Sequence, residues 1–173
     1  MNNYQRIQEI YASLPTIACK KLCAHCCVGI RLTPEENRRI KRATGTQGFP
    51  MNIEERIKRK EDPTCGFLDR GNGLCTIHPM RPMICRVWGL TPSMPCPHGC
   101  IPSRVLPDKE AHIMMTEVCY LGGEIDYKDY QKQLGYAGDD EIWPLILQAK
   151  QGKMEWSELT RRVWEIENGR GTL

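Results

Sequence analysis

Four cysteines fall within nine residues, Cys19-Lys20-Lys21-Leu22-Cys23-Ala24-His25-Cys26-Cys27, in the pattern C-x3-C-x2-C-C. Thiols at that density either pair as disulfides or share a metal, and either outcome ties the backbone together locally. The choice turns on compartment. Residues 1–18 mix Asn, Gln, Arg and Glu with apolar side chains and contain no apolar run of the signal-peptide kind. No window approaches eighteen apolar residues, so no membrane span is expected and the cytoplasm is the expected location. In a reducing compartment, ten cysteines read as metal ligation or redox chemistry. Buried thiols in a core would account for one or two of them, but not for four in nine residues.

Thiolates three to four residues apart on a turn or helix end can converge on one centre. Lys20 and Lys21 place positive charge beside them and favour the thiolate form. Adjacent side chains point apart, so Cys26 and Cys27 are not expected to bind one mononuclear ion together; one of them can serve a second metal or support the first. A second set is spread over Cys65, Cys75 and Cys85. Pro79 and Pro82 stiffen the segment between its last two members. Arg81 and Arg86 flank Cys85, where their charge would offset that of several thiolates; the alternative is two ordinary surface arginines. The expected metal ligands are therefore Cys19, Cys23, Cys26, Cys27, Cys65, Cys75 and Cys85, with Arg81 and Arg86 contacting the cofactor. Cys96, Cys100 and Cys119 form a third set that reads equally as further ligands or as loop thiols. His25 and His112 are expected to be solvated or hydrogen-bonded, not ligands.

The Cys19–Cys27 cluster, followed by Cys65, Cys75 and Arg81-Pro82-x-x-Cys85-Arg86, resembles the CxxCxxCC cysteine-cluster proteins. These are small bacterial, archaeal and phage proteins described as zinc- or iron-chelating domains. The same cluster occurs in flagellin lysine N-methylases, where it is associated with an iron–sulfur centre. The resemblance covers roughly residues 17–100 and implies a metal without implying a reaction. His78 stands where the family often has Tyr, and the first cysteine spacing is three residues.

The expected fold is mainly α: a small helical domain around an irregular, Pro/Gly-rich, metal-stapled cysteine region. Apolar spacing near 3.6 predicts a helix over 3–14, ended by Pro15. Thr33-Pro34-Glu35-Glu36 is a helix start with a capping box, running to about Ala43 and closed by Gly45 and Gly48. Asn52 with Glu55 opens another short helix. Residues 61–107 carry most of the twelve prolines and five of the ten cysteines, and predict turns with one hairpin near Asp69–Gly73. Such a loop region needs a cross-link to stay compact. Further helices are expected over 108–120 and from about Glu155 to Glu167. Residues 1–120 are expected to form the metal-binding domain, and 121–173 a helical extension packed on it.

The net charge of +3 is too small to argue for nucleic acid. Residues 31–60 are basic, which reads as solvated helix faces or as a surface for an anionic partner. The cysteine pattern itself names no protein or small-molecule partner. Ten Cys against four His favour an iron–sulfur cluster, [4Fe–4S], over zinc. The C-x3-C-x2-C core also resembles that of radical S-adenosylmethionine enzymes, but the chain lacks the length and alternation of their β/α barrel. Two functional classes remain. One is a binding protein that carries the metal for redox, storage or structure. The other is a small metalloenzyme whose open metal position serves methyl or radical transfer.

Overall fold

A computed structural model describes residues 2–20, 32–45 and 64–170. Among them the protein is mainly α, with seven α-helices and one two-stranded antiparallel sheet. The helix expected from Asn52 lies outside the described residues.

Helix α1 (Asn3–Ser13) starts on Asn2, whose Oδ1 accepts the Gln5 N–H at 2.9 Å while Gln5 Oε1 accepts the Asn2 N–H at 3.0 Å. These reciprocal bonds satisfy two donors that a helix start leaves unpaired. Ile7, Ile10 and Tyr11 form its buried face. Helix α2 (Pro34–Thr44) has the capping box read from the sequence: Thr33 Oγ1 accepts the Glu36 N–H, and Glu36 Oε2 accepts the Thr33 N–H. Gly45 ends it with φ at 68°, a left-handed conformation that costs glycine least, and donates its N–H to Lys41 O.

The hairpin pairs β1 (Leu68–Asp69) with β2 (Leu74–Cys75), Leu68 opposite Cys75. Its turn is built by Asp69, whose carboxylate accepts from the Gly71 N–H and the Asn72 amide. A single 3-10 turn, His78–Met80, leads through Pro82 into α3 (Met83–Val87). This short helix was not expected inside the proline-rich region. It forms because Pro82 immediately precedes its first residue, where no intrahelical N–H is lost.

Helices α4 (Asp108–Leu121), α5 (Tyr127–Tyr136), α6 (Ile142–Lys150) and α7 (Trp156–Arg170) complete the described chain. Buried Ile7, Ile10, Met83, Val87, Leu90, Leu106 and Val118 join α1, α3 and α4 through the intervening loop. Each such side chain, fully buried, contributes about 1.5–3 kcal/mol. A second cluster of Ile142, Trp143, Ile146, Ala149 and Leu159 joins α6 to α7. A third and smaller one, Ile40, Phe67 and Ile77, holds the hairpin on α2. No helix among the described residues is long and apolar enough to cross a membrane.

Helix α4 meets the start of α2 at Gly122, whose carbonyl accepts the Glu35 N–H at 3.1 Å. A β-carbon at Gly122 would lie 2.4 Å from Thr33 Oγ1, the atom that caps α2. Gly122→Ala is therefore expected to lower stability by about 1–3 kcal/mol through overpacking, read as a lower urea midpoint. The exposed glycine Gly123→Ala has open space around its β-carbon but a φ of 79°, so its loss should be smaller and due to backbone strain alone.

Candidate metal centre

The chain arrives at the first cysteine along an antiparallel contact with the third cysteine set. Ser103 N–H donates to Thr16 O at 2.8 Å, Ile17 bridges Pro102, and Lys20 Nζ reaches His98 O at 3.2 Å. This contact gathers Cys19, Cys96 and Cys100. The Lys20 N–H donates to Cys100 Sγ at 3.4 Å. The Cys96 and Cys100 thiols share a hydrogen bond, and the Cys100 and His98 backbone N–H groups are directed at Cys96. These donors, the Cys100 thiol and the Lys20 charge lower the Cys96 pKa below its usual value. The Lys20 N–H pulls the Cys100 thiol down, but burial and the neighbouring Cys96 and Cys19 sulfurs leave its pKa raised.

A second thiol group sits on the hairpin. Cys75 is the last residue of β2, and Cys65 anchors the hairpin entry by accepting the Leu68 N–H on its carbonyl. Both pack against the Ile40, Phe67 and Ile77 cluster. Burial raises the Cys75 pKa, and Cys65 raises it further. The Ile77 N–H and the Arg81 charge act the other way and favour its thiolate.

Cys85 is partly buried on α3, and Cys119 lies on α4. No disulfide joins two cysteines among the described residues. Cys23, Cys26, Cys27 and His25 lie outside those residues. Within them no three Cys, His, Asp or Glu side chains form a complete metal-binding group. His112 is hydrogen-bonded to Gln133 O at 2.9 Å and packs edge-on to Trp143.

The segment between Cys75 and Cys85 is held by a buried polar network. Glu36, 4% exposed, accepts on Oε1 from the Tyr11 hydroxyl and the Met83 N–H, both at 2.7 Å. Arg39 and Arg86 lie over the Tyr11 ring at 4.8 and 4.5 Å. Arg39 donates to the Met80 and Arg81 carbonyls. Arg86 donates to Arg81 O and Pro79 O, both at 2.7 Å. Arg81 donates to His78 O at 3.2 Å. Thus the two motif arginines hold backbone carbonyls, and Arg81 also places its charge near Cys75. Sequence spacing could not reveal these bonds, because Arg39 and Tyr11 stand far from the motif along the chain.

Two measurements follow from this arrangement. Burial, then the Glu36 carboxylate, raises the Tyr11 phenol well above its ordinary 10.0. The folded state therefore holds this proton more tightly than the unfolded chain. Its contribution is complete below pH 10 and is lost as pH rises through the raised value. Tyr11→Phe should cost about 1–2 kcal/mol at pH 7 and show a shallower alkaline loss than the parent, measured by urea unfolding across that range. In the metal-free protein, the lowered Cys96 pKa and the raised Cys75 pKa predict faster alkylation of Cys96 by iodoacetamide at neutral pH. Peptide mapping that found Cys75 modified first would contradict the geometry.

No curated protein and no solved structure matches the chain significantly. Residues 18–120 match the CxxCxxCC family, described as "Putative zinc- or iron-chelating domain". The match covers more than half of the chain and spans every cysteine from Cys19 to Cys119, beyond the 17–100 read from the motifs. Both described thiol groups lie inside it. On that match, the chain belongs to the CxxCxxCC family of zinc- or iron-chelating domains.

Proposed function

We propose that this protein holds a cysteine-ligated iron–sulfur cluster, [4Fe–4S], and uses it for redox, storage or substrate activation. One observation carries the reading: thiols gather in two groups, with backbone N–H groups directed at the sulfurs of Cys75, Cys96 and Cys100. An N–H aimed at sulfur stabilises the thiolate and tunes a cluster's potential. Soft, all-thiolate donor sets favour iron–sulfur over zinc, which often mixes Cys with His.

The ligands would come from Cys19, Cys23, Cys26, Cys27, Cys65, Cys75 and Cys85, and the contact with Cys19 adds Cys96 and Cys100 to the candidates. Cys23, Cys26 and Cys27, outside the described residues, would complete the set. When bound, the cluster would supply one-electron chemistry or an open iron. Arg81 would offset its negative charge, and Arg86 would hold the loop between Cys75 and Cys85. The alternative is structural zinc on the same thiolates.

Anaerobic purification with iron, zinc and acid-labile sulfide analysis tests both readings. Iron and sulfide in matching amounts are expected in the parent, reduced in Cys75→Ser and Cys96→Ser and retained in Cys119→Ser. Zinc without sulfide would overturn the cluster and keep the family's metal-chelating role. A protein that takes up neither metal under reducing conditions would overturn both.

A further inference from the structure

Helices α4 to α7 line a cavity of about 510 Å³, apart from the two thiol groups, with Cys119 of α4 as the one cysteine in its wall. That volume falls within the range of small-molecule sites. Its wall is apolar, with Met115, Ile146, Leu159 and Val163, and it carries Trp156 and Trp164. These two tryptophans are 59% and 64% exposed, unusual for the largest apolar side chains, so the cavity is open to solvent beside them.

The charges on this wall do not balance. Lys132 is paired with Glu167 at 2.6 Å, and the Tyr136 hydroxyl also donates to Glu167. His112 is bonded to Gln133 O. Lys150 also lines the cavity, and its Nζ is buried without a hydrogen-bond partner. The Trp143 ring lies 5.5 Å from it. Burial lowers the Lys150 pKa, and Asp108, whose carboxylate is engaged by the Ser93 N–H and hydroxyl, offsets this only in part. A buried ammonium without acceptors is costly, and an apolar side chain of equal length would serve packing better.

We propose that this cavity binds a monocarboxylate with an apolar body, its carboxylate paired with Lys150 and its body against the aliphatic wall and the two tryptophans. The charge selects the ligand: one unmatched cation calls for one anion, and the apolar wall calls for a hydrocarbon body. The inference is independent of which metal the cysteines hold.

Decanoate and 1-decanol differ in charge at similar length and serve as the test pair, titrated into the full-length, metal-loaded protein with tryptophan fluorescence as readout. Decanoate is expected to bind about tenfold or more tightly than 1-decanol. Lys150→Met should bring decanoate down to the level of 1-decanol and leave the alcohol within about twofold, since only the charge-assisted bond is lost. This variant replaces an unpartnered ammonium with an apolar side chain of similar length, so it is expected to fold at least as stably. Val163→Trp fills the cavity and should abolish binding of both, with metal content unchanged. Equal affinity for the two compounds, no binding of either, or a Lys150→Met variant that keeps the preference would overturn the proposal.

Discussion

The carboxylate of Glu36 is the point at which three separate segments are fixed to one another. It closes the cap of α2, accepts the hydroxyl of Tyr11 from α1, and accepts the N–H of Met83 at the start of α3. A carboxylate buried to this degree is tolerable only when its lone pairs are satisfied and positive charge stands near. Arg39 and Arg86 meet that need from the two faces of α2 and α3, stacked on the same Tyr11 ring. The same two guanidinium groups also donate to the carbonyls of Pro79, Met80 and Arg81. The path between Cys75 and Cys85 is thereby set by bonds that contain no sulfur. This differs from the simplest reading of arginines beside a thiolate, in which charge alone is the contribution. A fixed backbone path matters as much, because ligands must be presented at set positions before a metal can bridge them.

What could be read from the chain beforehand follows from the range of each interaction. The capping box of α2 involves residues three apart, so Thr33 and Glu36 announced it, and Gly45 announced its end. The hairpin was legible for the same reason, since Asp69, Asn72 and Gly73 build the turn among themselves. The second duty of Glu36 was hidden, because Tyr11 and Met83 lie 25 and 47 residues away. Helices α5 and α6 were not singled out, for two different reasons. In α5 no residue is fully buried, so its sequence shows little apolar period. In α6, Pro144 looks like a breaker, yet it stands third in the helix, where no intrahelical N–H is required. The gathering of Cys19 with Cys96 and Cys100 depends on an isolated bridge, Ile17 to Pro102, and a few long-range bonds beside it, and such contacts leave no periodic trace. The unmatched Lys150 was equally silent, as a lysine near a helix end is ordinary until its surroundings are known.

The hairpin region shows why sulfur and backbone restraint belong together here. Two-residue strands cannot hold a hairpin by their ladder alone, and isolated two-stranded ribbons are marginal in water. Among the described residues the apolar cluster beneath it has three buried members, Ile40, Phe67 and Ile77. Links to the rest of the protein add to this restraint. Arg39 provides one, by joining α2 to the carbonyls that follow the hairpin. A metal on Cys65 and Cys75, shared with a thiol from the first cluster, would provide the other, and its binding free energy would count directly as folding free energy. On this argument the raised pKa of Cys75 is consistent with a ligand role: burial disfavours its bare thiolate, so the sulfur stays protonated until a cation arrives, and metal uptake releases that proton.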